Sequence, residues 1–255
     1  MDLFSSVISP EFLVLAMLIG VLSGFVKGVV GFAMPTIFIS GLSSFLSPEL
    51  ALAGLILPTV ATNVIQAFRQ GFRAAWISLT QYKLFLSIGA VTLVMSAQLV
   101  TLIPSSVLYL AIGLPVAGFT ALQLMGWHPT LAGRNRLAEV AVGGFAGFVA
   151  GLSGIWGPPT VLYLTAVDTP KQEQMRVQGV VFGLGALMLM FAHLQSGVLR
   201  AETLPFSAAL IPPAILGIWL GFKVQDRIDQ ATFRTVTSWV LLLAGLNLIR
   251  RGVMG

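Results

Sequence analysis

Gly20-xxx-Gly24-Phe25-Val26-x-Gly28-xx-Gly31-xxx-Pro35 is written again as Gly143-xxx-Gly147-Phe148-Val149-x-Gly151-xx-Gly154-xxx-Pro158, at a constant offset of 123 residues. Glycine loosens a helix and proline removes a hydrogen-bond donor from it. In hydrocarbon a freed backbone group is costly, so such a break persists only where protein or a watery cavity satisfies it. Interrupted apolar segments in matching places of two halves point to a transporter binding site. The duplicated stretch therefore predicts both an architecture and a place for function.

Apolar residues fill 56% of the 255-residue chain and charged residues only 9%, against roughly 25% charged in ordinary soluble proteins. So few charges cannot cover a soluble surface, and the chain reads as an all-α, polytopic membrane protein. Its start, Met1-Asp-Leu-Phe-Ser-Ser, has no basic region ahead of the apolar core. The first segment is therefore read as retained, not as a signal peptide. The absence of cysteine excludes disulfides, thiolate metal sites and cysteine nucleophiles. The two histidines lie far apart in sequence, so neither a metal site nor a cofactor is expected. The net charge of +5 sits between apolar segments, which the positive-inside rule explains without nucleic acid. The expected partners are the lipid bilayer and a small anionic substrate. The oligomeric state, a homodimer included, stays open.

A span needs about 20 apolar residues. Continuous spans are predicted at 48–68, 76–100, 105–127, 176–195, 203–222 and 231–249. Stretches 11–46 and 138–167 are too long for one crossing and short for two, with breaks expected at 28–31 and 151–159. Each is read as a re-entrant helical hairpin or a pair of shortened helices meeting near the midplane. The expected organisation is two transmembrane repeats, 1–128 and 129–255, each a broken helix or hairpin followed by three transmembrane helices. One hairpin and three crossings make an odd number, so tandem halves take inverted topology. Loops on one side then hold Arg69, Arg73, Arg134, Arg136, Lys171, Arg176, Lys223, Arg227 and Arg234; the other side holds Arg200, Arg250 and Arg251. That asymmetry makes the first side cytoplasmic and both termini external. A rival topology counts each broken stretch as one crossing and puts the N-terminus inside; Arg250 and Arg251 fit it better.

Lys27 is the one charge deep in the first broken stretch, sixteen residues past Glu11, or roughly 24 Å along a helix. A charge at membrane depth is a functional candidate by default. Glu49, Glu139, Asp168, Glu173, Glu202, Asp226 and Asp229 all fall at segment ends or in loops. A cation without a buried acid, beside the N–H groups of a half-helix, is what an anion site requires. The plain alternative is that Lys27 snorkels to an interface. Gly20, Gly24, Gly143 and Gly147 are read as small-xxx-small packing faces, with alanine tolerated at Gly20 and Gly143. Gly28, Gly31, Gly151, Ser153, Gly154 and Gly157 crowd ahead of Pro35 and Pro158-Pro159, which predicts a turn and a new helix start. Such a start suits an anion, and Ser153 adds a hydroxyl donor. Asn63 and Gln66 follow Thr59 and Thr62 on the next helix, near Pro58, and Gln178 occupies the corresponding helix of the second half. Amides in such helices either join helices or line a cavity. Trp156 is read as wall or gate against ordinary packing, and His193 and Lys83 as structural or interfacial. The substrate-binding set is thus Lys27, Gly28, Gly31, Asn63, Ser153, Gly154, Trp156, Gly157 and Gln178, with no catalytic or metal-binding residue.

The stretch Gly-x-Val-Lys27-Gly28-xx-Gly31-Phe32 followed by Pro35, together with Gly151-Leu-Ser-Gly154-Ile-Trp-Gly157-Pro158, resembles the TauE/SafE sulfite exporter (TSUP) family. The resemblance covers both broken stretches and fits the whole layout. It implies a multi-pass transporter of the bacterial inner membrane for sulfite, sulfonates such as sulfoacetate, or related small organic anions, usually moved outward. The family often carries a run of glycines at the hairpin turn. Here Phe32-Ala33-Met34 and Ile155-Trp156-Gly157 replace part of it, which implies a pocket of different size. The resulting reading is a secondary transporter working by alternating access at a midmembrane site. Lys27 and the half-helix N-termini would hold the anion, and Asn63 and Gln178 would orient it. Without a midmembrane carboxylate for a proton relay, the membrane potential can drive anion exit, by about 2.3 kcal/mol per charge per 100 mV. The rivals are an anion channel and a membrane assembly or accessory protein. An enzyme is not expected, since neither a nucleophile with its base nor paired aspartates at depth is visible.

Overall fold

The computed structural model describes residues 8–97, 104–126, 135–153, 156–195 and 197–254. Among these residues the regular elements are all helices: α1 (Pro10–Val30), α2 (Met34–Leu42), α3 (Pro48–Phe68), α4 (Phe72–Gln81), α5 (Lys83–Ala97), α6 (Ser105–Leu124), α7 (Arg136–Ser153), α8 (Gly157–Ala166), α9 (Lys171–Gln195), α10 (Leu204–Ala209), α11 (Ile211–Arg227) and α12 (Gln230–Met254). The order of the first six is repeated by the last six: a long helix, a short one, a long one, a divided pair and a long one.

Local signals fix the ends. Ser9 accepts the N–H of Phe12 at 3.5 Å and Pro10 opens α1, the arrangement that N-cap and N1 preferences favour. Ser47 and Pro48 repeat it at α3. Gly31 ends α1 with φ of 89°, its N–H bonded to the Lys27 carbonyl at 2.6 Å. This left-handed residue is where glycine is needed. The first break therefore begins at Gly31, the last residue of the expected 28–31, while Gly28 to Val30 remain helical. With 21 residues, α1 runs roughly 31 Å and is no shortened half-helix.

Among the described residues, five helices are long and apolar enough to cross a membrane: Pro10–Val30, Glu49–Phe68, Lys171–Gln195, Leu204–Arg227 and Gln230–Met254. A sixth span arises if Phe72–Gln81 and Lys83–Ser96, bent by 69°, count as one. That bend departs from the straight span expected at 76–100, whose last three residues lie outside the described ones.

The chain divides into two compact units, one of Met1–Gly71 with Gln178–Asp229 and one of Phe72–Val177 with Gln230–Gly255. Each draws on both sequence halves, so compactness follows a different partition from the repeat at 1–128 and 129–255. In the first unit α1 lies along α11. A Cβ placed on Gly24 would meet the Ala214 carbonyl oxygen at 2.4 Å, and one on Gly28 the Ile218 carbonyl oxygen at 2.4 Å. The contacts climb both helices together, so the pair is parallel. Gly28 is thus a packing residue inside the helix, where a turn was expected. In the second unit α7 lies along α5 in the same manner, with a Cβ on Gly147 only 2.1 Å from the Gly89 oxygen. Helices in lipid gain little from burying apolar surface and associate through such close backbone approach. Also in the second unit, Gly113 of α6 meets Gly245 and Ile249 of α12 while Gly252 meets Leu110. There the numbers run in opposite senses, so α6 and α12 are antiparallel.

These clearances predict an order of tolerance. Gly24→Ala and Gly28→Ala should each lower the melting temperature in detergent, at an overpacking cost of about 1–3 kcal/mol. Gly20→Ala, whose Cβ comes no closer than 3.5 Å to Pro213, should melt like the parent. Gly143 was expected to be as permissive, but its Cβ would lie 2.9 Å from the Phe85 oxygen and alanine there should destabilise.

Candidate functional site

The frame of the site in the first unit is α3. Pro58 lies inside this helix and cannot donate to a carbonyl one turn back. Ser207 occupies that gap, with Oγ 3.5 Å from the Gly54 oxygen and accepting the Leu57 N–H at 3.2 Å. The helix thereby continues past its proline, and Thr59, Asn63 and Gln66 fall on one face by helical spacing.

Asn63 is fully buried and bonded at both ends of its amide. Its Oδ1 accepts from the Lys27 ammonium, and its Nδ2 donates to the Phe182 carbonyl of α9 at 3.2 Å. Lys27 is 2% exposed and forms no ion pair among the described residues. An ammonium has three hydrogens to donate, and a neutral amide accepts one of them without cancelling the charge. Taking a cation out of water costs several kcal/mol unless a counter-charge or further bonds offset it. Among the described residues the buried Lys27 side chain thus has one side-chain partner, and that partner is neutral.

One turn along, the carbonyls that α1 leaves open are covered by side chains. Gln66 Nε2 donates to the Gly31 oxygen at 3.1 Å. With its amide turned so that nitrogen faces the carbonyls, Gln178 donates to the Gly31 oxygen at 3.0 Å and the Val30 oxygen at 3.1 Å. Such an orientation is assigned from the hydrogen bonds it makes. Gln178, from α9, thus holds the break closed with its nitrogen. Beyond the break Ala33 is left-handed, with φ of 71°, and no side chain caps the start of α2. Thr62 Oγ1 lies 3.4 Å from Met34 Sδ, which brings that helix start against α3.

Lys27, Gly31, Asn63 and Gln178 are brought together in this way, while Gly28 faces α11. The other predicted residues belong to the second unit. Ser153 closes α7, Trp156 is half-buried ahead of α8, and Gly157 is the first residue of α8. Gly154 lies outside the described residues. Two contributors lie outside the predicted substrate-binding set: Gln66, which the sequence offered as a helix-joining or cavity-lining amide, and Ser207, which it did not single out. Gln66, three residues after Asn63, carries the periodic signal that could have paired it with the break. Ser207 carries none, because its role depends on where α10 packs.

A family model described as "Sulfite exporter TauE/SafE" matches residues 16–248, which takes in both breaks, Lys27, Asn63 and Gln178. The chain belongs to this family. No individual curated protein and no solved structure matches it. TauE/SafE proteins are membrane exporters of sulfite-type anions and not enzymes, so the buried lysine lies in a chain of an anion-exporter family.

Replacing Gln178 by Leu removes donors that the Val30 and Gly31 carbonyls use. The Gly31 carbonyl keeps Gln66, but the Val30 carbonyl is left without its side-chain donor, which costs about 1–3 kcal/mol. The Gln178→Leu protein should therefore melt below the parent even without any anion present, as read by thermal unfolding in detergent.

Proposed function

We propose that the protein is an exporter of sulfite or small sulfonates across the bacterial inner membrane, by alternating access, with Lys27 as counter-charge of the bound anion. The observation that carries this reading is the buried ammonium whose partner is a neutral amide. An anion entering the site completes the charge balance that Asn63 cannot. The uncapped start of α2 supports it, since N–H groups at a helix start favour negative charge. The transmembrane potential suffices as driving force for outward movement of an anion. Ser153, Gly154, Trp156 and Gly157 at the second break are proposed as further substrate contacts.

The direct test is flux and binding in proteoliposomes with sulfite and methanesulfonate. Lys27→Met should lose binding by the equivalent of about 2–5 kcal/mol, with a ligand-free melting temperature equal to or above that of the parent. Asn63→Asp should also lose the anion, because its carboxylate neutralises Lys27 from within, yet should fold at least as stably. Normal saturable flux in a well-folded Lys27→Met protein would refute the assignment. Fast, non-saturating flux in the parent would make the protein a channel.

Inverted topology of the repeats 1–128 and 129–255 is part of the proposal. It is supported by α6 and α12, which hold the same place in the two halves and lie antiparallel. Reporter fusions after Arg136 and after Gly255 should read opposite sides of the membrane, the first cytoplasmic. Two cytoplasmic readings would rule the inversion out.

A further inference from the structure

Thr59 and Thr237 stand apart among the buried threonines described, and of the two only Thr59 lies one helical turn from Asn63. A hydroxyl inside a helix ordinarily donates to a carbonyl of the preceding turn. Thr62, Thr120 and Thr165 do so, each to the residue four positions back. The Thr59 hydroxyl, on a residue only 6% exposed, has no partner among the described residues. Burying an unbonded hydroxyl is unfavourable, so its position calls for an acceptor. Four residues separate it from Asn63, which places the two side chains on one face of α3 with Cβ atoms about 5–6 Å apart. Asn63 in turn holds the Lys27 ammonium.

We infer that the Thr59 hydroxyl is a second donor to the transported anion, bonding one terminal oxygen while Lys27 holds another. The inference rests on the reading of Lys27 as the counter-charge and adds to it a directional requirement. A ligand engaging both groups needs at least two acceptor atoms on one small anionic head, as sulfite and a sulfonate have. Hydrogen bonds involving a charged partner are the stronger kind, so the hydroxyl contributes to affinity and not only to fit.

The experiment compares Thr59→Val, which keeps the shape and removes the hydroxyl, with Thr59→Ser, which keeps the hydroxyl. Sulfite and methanesulfonate are the probes, with KM and maximal flux measured in proteoliposomes and melting temperature measured without ligand. Thr59→Val should raise KM about tenfold or more, leave maximal flux near that of the parent and melt at an equal or higher temperature. Thr59→Ser should restore the parent KM. An unchanged KM in Thr59→Val beside lost transport in Lys27→Met would refute the Thr59 role and leave the Lys27 reading standing. Normal transport in both variants would sink the two together. A raised KM accompanied by a lowered ligand-free melting temperature would make the hydroxyl structural, and overturn the inference.

Discussion

A backbone carbonyl that a helix leaves open inside protein has no water to turn to, so it must find donors there. The Val30 and Gly31 carbonyls meet that requirement through Gln66 and Gln178. The two glutamines come from α3 and α9, the third helices of the two sequence halves. The break is thus held by the same two helices that position Asn63 and, through it, Lys27. A similar solution recurs at Pro58, where Ser207 covers the carbonyl that the missing N–H exposes. The polar groups of this unit are therefore divided between closing backbone gaps and holding the buried lysine. Their distribution along α3, with Asn63 between Thr59 and Gln66, is what brings the two tasks side by side.

Much of this was legible in the sequence, and the reasons differ by residue. The repeat, the helical membrane class and the special standing of Lys27 follow from composition and from the cost of a charge in lipid. Gly31 was readable as a turn because it precedes Phe32-Ala33-Met34-Pro35, a stretch that cannot continue a regular helix. Gly28 was misplaced for an intelligible reason. A glycine four residues beyond Gly24 reads equally as a packing position or as the start of a break, and only the approach of Ile218 decides it. Gln178 was expected to orient an anion, since an amide in a lipid-embedded helix has that use. Its nitrogen is engaged by the carbonyls of α1, a partner some 150 residues earlier that no local pattern announces. The bend at Tyr82 was hidden because its flanks read as one apolar run.

The close seam between α1 and α11 bears on the lysine as well. Gly24 and Gly28 flank Lys27 in sequence and lock the adjacent face of α1 against α11 at backbone contact. A long side chain on a loosely packed helix can swing toward an interface and shed its burial cost. On α1 the rotation that such an escape needs would drive the helix backbone into Ala214 and Ile218. The glycines thus act on the charge without touching it, by denying the helix that carries it freedom to turn.

The interleaving of the two units also constrains biogenesis. The first unit needs α1 and α11, which stand near opposite ends of the chain. During synthesis α1 emerges early, with a lysine and a glycine-lined face whose mate has not yet been made. Neither half can complete its own core while the ribosome is still reading the other. The membrane must therefore harbour an unfinished helix until translation is nearly done. A gene cut between the halves would yield two fragments that depend on each other to mature, and not two small transporters.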